Sequence, residues 1–288
     1  MSKPSIAAQD LAFSYGEKRA VDGVSFSVAE GEILGFLGPN GAGKSTTIKM
    51  LTGQLKPSSG QIEILGLQMP QERTSIQGRI GVCFEEKNLY PTMSAVQNLR
   101  FFARLFGVPD FDPMPLLERV DLADRAKDRV ADFSKGMRQR LMMARALVNQ
   151  PDVLFLDEPT DGLDPVSARA VRALIRDEVE RGVSVLLTTH DMMEADQLSD
   201  RVAFINDGRL LAIDPPEQLK LAHGQRSVRI RRRLADGSVV DEAVPLDDAK
   251  TAAQVGAAMG AGEVLTVHTE EATLEDVFVA YAGRGLES

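Results

Sequence analysis

An α/β fold is the architecture this sequence predicts, with an antiparallel β segment ahead of the core, a helical insertion inside it and a small α+β module after it. Three observations carry that expectation. The mostly apolar run from Glu32 to Leu37 ends in a glycine-rich loop that opens a helix. Two further apolar runs, Val153 to Leu156 and Val183 to Leu187, flank a helical stretch from Ser167 to Glu180, which is the strand–helix–strand unit of a buried parallel sheet. Past Leu219 the composition shifts to a basic strand-like run and alanine-rich segments. The 288 residues therefore divide into two domains, expected at 1–222 and 225–288.

Taken in order, Ile6 to Phe13 and Val21 to Val28 alternate apolar with polar residues around a Gly16-Glu17-Lys18 turn, so they read as paired strands. The strand Glu32–Leu37 comes next, then a helix from about Lys44 that buries Ile48, Met50 and Leu51. Lys56 to Gly60 reads as a loop and Gly81 to Phe84 as a short strand. Residues 94–150 are helical throughout: Val96, Leu99, Phe102, Ala103 and Phe106 recur at helical spacing, and Ser134 to Val148 does the same. In the C-terminal module, Arg229 to Arg233 and Val239-Val240 flank an Asp236-Gly237 turn, and Val264 to Val267 is strand-like. Asp247 to Met259 is helical, as is Leu274 to Tyr281. There Leu274, Val277, Phe278 and Tyr281 form an apolar face to be covered by the module's own strands or by another subunit.

Composition excludes several classes. With 43% hydrophobic and 26% charged residues the chain is globular rather than disordered. Thirty-three basic against 42 acidic residues leave a net charge of −9, which disfavours a nucleic-acid partner held by overall charge. Arg229, Arg231 and Arg233 share one side of a strand and read as a solvated face. The one cysteine, Cys83, excludes an intramolecular disulfide and a cysteine-cluster zinc site, and suits a reducing compartment. Met1 to Gln9 has no apolar signal region, and no apolar run approaches the ~18–20 residues that span a bilayer. The chain is expected to be soluble, so membrane work would need a spanning partner.

The chemistry concentrates in two motifs. Gly38, Pro39, Asn40, Gly41, Ala42, Gly43, Lys44, Ser45 and Thr46 come after a strand and open a helix, the context of a phosphate-binding loop. Glycines let successive N–H groups converge on the β-phosphate, and the helix N-terminus adds its dipole. Lys44 would bridge the β- and γ-phosphates of ATP, and Ser45 would ligate Mg²⁺. Asp157 ends an apolar strand, where ligands bind in open α/β sheets, and would hold Mg²⁺ through water. Glu158 beside it would polarise the attacking water.

In the order of these segments, from about Ile6 to Leu219, the chain resembles the ATP-binding cassette (ABC) ATPases, whose core is a P-loop NTPase fold. Phe133 to Arg140 matches the family signature, Asp161 to Asp164 its D-loop and His190 its switch histidine. Tyr15 stands where the family stacks an aromatic on adenine. Two departures stand out: the signature carries Lys135 and Met137 in place of glycine and glutamine, and Glu85 replaces the glutamine expected after Gly81 to Phe84, where a carboxylate can still bind Mg²⁺. Both resemble the exporter branch with ABC-2-type membrane partners, many members of which carry a small accessory domain after the cassette.

The resemblance implies a head-to-tail dimer in which Ser134, Lys135, Gly136, Met137 and Asp164 of one chain meet nucleotide held by the phosphate loop of the other. Another copy or a second ABC subunit would complete each site. It further implies an ATPase subunit peripheral on the cytoplasmic face of the cell's inner membrane, bound to separate integral membrane permease subunits, with no nucleic acid. Leu89 and Tyr90 are the candidates for touching such a partner. A soluble ABC ATPase of ribosomes or DNA is the rival, but this chain has neither two cassettes nor a long coiled-coil or zinc insertion. A P-loop kinase of a small metabolite would leave the signature and D-loop unexplained. Neither the substrate nor, beyond the branch, the direction of transport is written in the sequence.

Overall fold

The computed structural model describes residues 3–84, 88–223, 227–246, 250–270 and 272–283. It separates into two compact units, 1–213 and 214–288. The first begins with an antiparallel sheet. Strands β1 (Ile6–Tyr15) and β2 (Lys18–Val28) pair around the expected turn, and β4 (Ser59–Ile64) and β5 (Leu67–Met69) extend the sheet in the order β2-β1-β4-β5. The stretch expected as a loop up to Gly60 is thus already strand from Ser59. Gly60 belongs in a strand because a Cβ there would stand 2.4 Å from the Gln9 carbonyl oxygen, so β1 passes too close for any side chain.

The second sheet is the core. It contains β3 (Ile33–Leu37), β6 (Ile80–Cys83), β7 (Val153–Asp157), β8 (Ser184–Thr189), β9 (Arg201–Asn206) and β10 (Arg209–Asp214), in the order β10-β9-β3-β8-β7-β6. Pairs β9–β3, β3–β8, β8–β7 and β7–β6 are parallel. Every residue of β3, β7 and β8 is buried, as their uninterrupted apolar runs require of strands covered on both faces. Helix α1 (Lys44–Leu51) buries Ile48, Met50 and Leu51 completely. A short α2 (Arg73–Gln77) precedes β6, and α6 (Pro165–Glu180) links β7 to β8. The helical insertion contains α3 (Ala95–Leu105), α4 (Met114–Arg119) and α5 (Lys135–Ala146). Of its spaced apolar residues Leu99 and Ala103 are buried, while Phe106 stays exposed. After β8 comes α7 (Met192–Leu198), whose N-cap Asp191 accepts from the Met193 and Glu194 N–H groups.

The second unit holds α8 (Pro216–His223), β11 (Ser227–Arg233), β12 (Val239–Pro245), α9 (Thr251–Gly260), β13 (Glu263–Glu270) and α10 (Leu274–Ala282). Its antiparallel sheet runs β12-β11-β13, with Val228 and Ile230 buried and Arg229, Arg231 and Arg233 on the exposed side. Arg231 and Arg233 face Asp241 and Glu263 there. Leu274, Val277 and Phe278 of α10 are buried, and the principal neighbour of α10 is α8 rather than a strand. That packing moves the division between units ahead of the expected boundary near residue 222, since α8 folds with α10 and not with the core sheet. Among the described residues no helix is long and apolar enough to cross a membrane.

Candidate active site

Strand order brings the C-terminal ends of β3, β8 and β7 side by side, and each end delivers one part of the site. From β3 the chain enters the loop Gly38 to Gly43. A Cβ at Gly38 would lie 2.1 Å from the Ile205 carbonyl oxygen, and one at Gly43, whose φ is +107°, 2.5 Å from that of Ala20. Both positions are closed to any side chain, which is why the loop is written in glycine. A cavity of about 120 Å³ results, lined by Pro39, Asn40, Gly41, Gly43, Lys44, Ser45, Thr46 and Glu158. Ala42, within the loop, is buried.

Lys44, only 5% exposed, turns its ammonium into this loop. It donates to the Gly38 carbonyl at 2.6 Å and lies 3.1 Å from Glu158 Oε1. Ser45 Oγ donates to Asp157 Oδ1 at 3.1 Å, and Thr188 Oγ1 donates to the same oxygen at 2.5 Å. Glu158 has φ +49°, left-handed backbone that a non-glycine residue rarely adopts. Its N–H donates to the Thr188 carbonyl at 3.1 Å, tying the turn to β8. His190 Nδ1 stands 2.9 Å from Glu158 Oε2, within hydrogen-bond distance. Its Nε2 is 3.9 Å from Asp161 Oδ1.

The arrangement can grip an anion with the loop and Lys44. It can hold a hard cation between a hydroxyl and a carboxylate, and it aims a second carboxylate at the same cavity. Among the described residues no three His, Cys, Asp or Glu side chains gather at a metal-binding spacing. Mg²⁺ is usually bound through one or two carboxylates together with substrate phosphates, and Ser45 with Asp157 offers a hydroxyl and a carboxylate of that kind. Glu85, the other expected metal ligand, lies outside the described residues.

The remaining expected residues stand apart from the cavity. Tyr15 ends β1 half exposed, edge-on to Phe13 with ring centroids 4.9 Å apart. Ser134 caps α5 by accepting from the Met137 N–H, and it and Lys135 are exposed. Gly136 faces inward instead, because α6 packs so close that a Cβ would meet Ser167 Oγ at 2.4 Å. Met137 is half-buried against the core. Asp164 caps α6, accepting from the Val166 and Ser167 N–H groups at 3.0 Å each, and the Ser167 hydroxyl, with these N–H groups, holds its carboxyl below the usual range. Gly136, Met137 and Asp164 thus have structural work inside the chain.

Three features escape sequence reasoning. Thr188 completes the Asp157 contact, and the Thr188-Thr189 pair just before His190 was its visible signal. Glu194, buried on α7, accepts a hydrogen bond from Thr160 beside the D-loop, and burial pushes its carboxyl up. Arg145, buried on α5, donates to the carbonyls of Val82 at 2.9 Å and Asn88 at 3.1 Å, with its guanidinium 4.9 Å from the Phe102 ring centroid. Burial lowers the pKa of that guanidinium.

Residues 21–161 match the ABC transporter family profile. The chain is 44% identical over 283 residues, 98% of its length and 94% of the relative's, to the fluoroquinolones export ATP-binding protein of Mycobacterium tuberculosis (strain CDC 1551 / Oshkosh). It is likewise 44% identical over 223 residues to the Nod factor export ATP-binding protein I of Paraburkholderia xenovorans (strain LB400), covering 76% of this chain and 73% of that one. The dimeric structure of an ATP-binding cassette in a post-hydrolysis state, bound to ADP and Pi, superposes with a TM-score of 0.67 at 25% identity, over 73% of this chain and 98% of that one. The phosphate loop, the acid pair at the end of β7 and these likenesses lead to one conclusion: the chain belongs to the ABC transporter family, as an ATP-binding, ATP-hydrolysing subunit of its exporter type.

Proposed function

We propose that the chain powers export through separate ABC-2-type membrane subunits, closing as a dimer around two ATP molecules and reopening on hydrolysis. One observation carries the shared-site part of this reading: the cavity at the phosphate loop is lined without Ser134, Lys135, Gly136 or Met137. One chain therefore has a phosphate loop lacking a signature beside it, and a second chain would supply that signature head to tail. The dimeric cassette among its structural neighbours supports the arrangement.

In this reading the loop amides of Gly38 to Thr46 cradle the phosphates, and Lys44 leaves Glu158 to meet the β- and γ-phosphates. Ser45 and Asp157, already 3.1 Å apart, are the pair that would hold Mg²⁺, which would draw charge from the phosphate oxygens. Glu158, once free of Lys44, accepts the proton of a water whose oxygen attacks the γ-phosphorus, and ADP departs as the leaving group. His190 holds Glu158 in place through Nδ1 and is the residue that would contact the γ-phosphate. Tyr15, half exposed at the end of β1, is the surface offered to adenine.

The membrane subunits would meet the helical insertion around Tyr90, which is 43% exposed and lies edge-on to Phe101 with centroids 4.8 Å apart. Attachment there would place the chain on the cytoplasmic face of the membrane. The two relatives are named for unlike exports, which accords with substrate contacts lying in the membrane subunits. Purification from gently solubilised membranes tests the assignment. A polytopic protein of several transmembrane helices is expected to accompany the chain, and ribosomal subunits in its place would overturn the reading.

A further inference from the structure

A line of charge runs from the signature through the D-loop to His190 inside one chain. Lys135 Nζ lies 3.7 Å from Asp161 Oδ2, and Asp161 Oδ1 lies 3.9 Å from His190 Nε2. The lysine head group lies over the D-loop glycine: a Cβ on Gly162, whose φ is +57°, would stand only 1.9 Å from the Lys135 ammonium. The D-loop glycine thus leaves the space that the ammonium fills. Lys135 is also the first residue of α5, where the helix dipole disfavours a cation unless an anion accompanies it. Asp161 is that anion here.

We propose that Asp161 is a positioning residue that latches Lys135 in the separate chain and yields it to the partner's γ-phosphate when two chains close. This rests on the shared-site reading above. Both members of the pair are nearly half exposed, and an ion pair so open to water is weak and easily exchanged. A triphosphate enclosed at a closing interface is a stronger partner for an ammonium, since the contact is charge-assisted and shielded from solvent. Lysine suits the exchange because its charge rides on a flexible four-carbon stem. Asp161 also stands 3.9 Å from His190 Nε2, on the ring that contacts Glu158, so the latch lies next to the site it would report to.

The test measures ATP-driven dimerisation of the full chain against protein concentration at low and high salt, beside ATP affinity at concentrations where the chain is monomeric. Asp161→Asn releases the latch and is expected to lower the half-maximal concentration about threefold. Lys135→Gln is expected to raise it about tenfold and to flatten its salt dependence, while Lys135→Arg keeps the wild-type value. The double variant should match Lys135→Gln, because a latch without its lysine holds nothing. Monomer ATP affinity should be unchanged in all of them. An Asp161→Asn shift that persists undiminished in the Lys135→Gln background overturns the proposal, as does the absence of any shift or a weakened dimer. Asp161→Ser repeats the measurement with a side chain too short to reach the ammonium. Ser134→Arg separates the two levels: if it dimerises and turns over as wild type, the shared site fails, whereas failure of the Asp161 variants alone removes only the latch.

Discussion

Glu158 occupies a left-handed backbone position, pairs with Lys44 and receives His190, so a single side chain ties together the strands β3, β7 and β8. Strain of this kind persists where surrounding structure over-determines it, and it collects at reacting centres. Glu158→Gln keeps the shape and loses the base. The variant should bind MgATP, hydrolyse it at least about a hundredfold more slowly and elute as an ATP-bound dimer in size-exclusion chromatography. Hydrolysis at the wild-type rate would remove Glu158 as the base. Cys83 gives a prediction of a different kind. Burial pushes its thiol from 9.0 up to about 11, so it stays protonated, and the thiolate is the form that reacts. Alkylation at pH 8 should be negligible in the folded chain and rapid in denaturant. Between pH 9 and 11 the unfolded chain gives up a proton that the folded chain retains, so this thiol lowers stability as pH rises through that window. Denaturant midpoints of wild type and Cys83→Ala should converge or cross there, and parallel curves would show the thiol to be less buried than it is here.

Elements reveal what a sequence discloses and what it withholds. The α1 entry was legible because a phosphate loop needs a strand before it, glycines within it and a helix after it, and Gly38 and Gly43 have no room for anything larger. The buried strands β7 and β8 were legible from unbroken apolar runs. Strands β9 and β10 do not stand out in the sequence, although Asp207-Gly208 between them is a two-residue hairpin signal. Each run begins with an arginine and ends on a polar residue, Asn206 or Asp214, which masks a short strand. Contacts such as Thr160–Glu194, or Arg145 with Val82 and Asn88, join residues far apart in the chain, and nothing in a residue's type names its distant partner. The helices also separate two functions that a single motif list would merge. Lys44→Ala, at the start of α1, should lose nucleotide affinity by equilibrium binding. Ser134→Arg, at the cap of α5, should leave monomer affinity intact while turnover collapses. Equal loss of binding in both would count against a site shared between chains.

For the whole molecule, the break at residue 213 gives a sharper cut than composition does. A chain ending at Ile213 keeps the phosphate loop, the signature, the D-loop and His190, and should bind ATP with wild-type affinity by calorimetry. Ending instead near Lys220 would strand most of α8 without α10, exposing Leu219, and should aggregate more readily than the shorter form. Loss of nucleotide binding in the 213-residue chain would show that the two units share one core. The Lys44–Glu158 pair has a consequence for the whole cycle. An idle cassette carries its own counter-anion, so every incoming nucleotide competes with a carboxylate already seated on the lysine. ATP would bring a γ-phosphate to that contest and ADP would not. In the proposed cycle the carboxylate returning to Lys44 after hydrolysis would help to expel the product. ADP should therefore be held more tightly, and released more slowly in stopped-flow measurements, once Glu158 is made neutral.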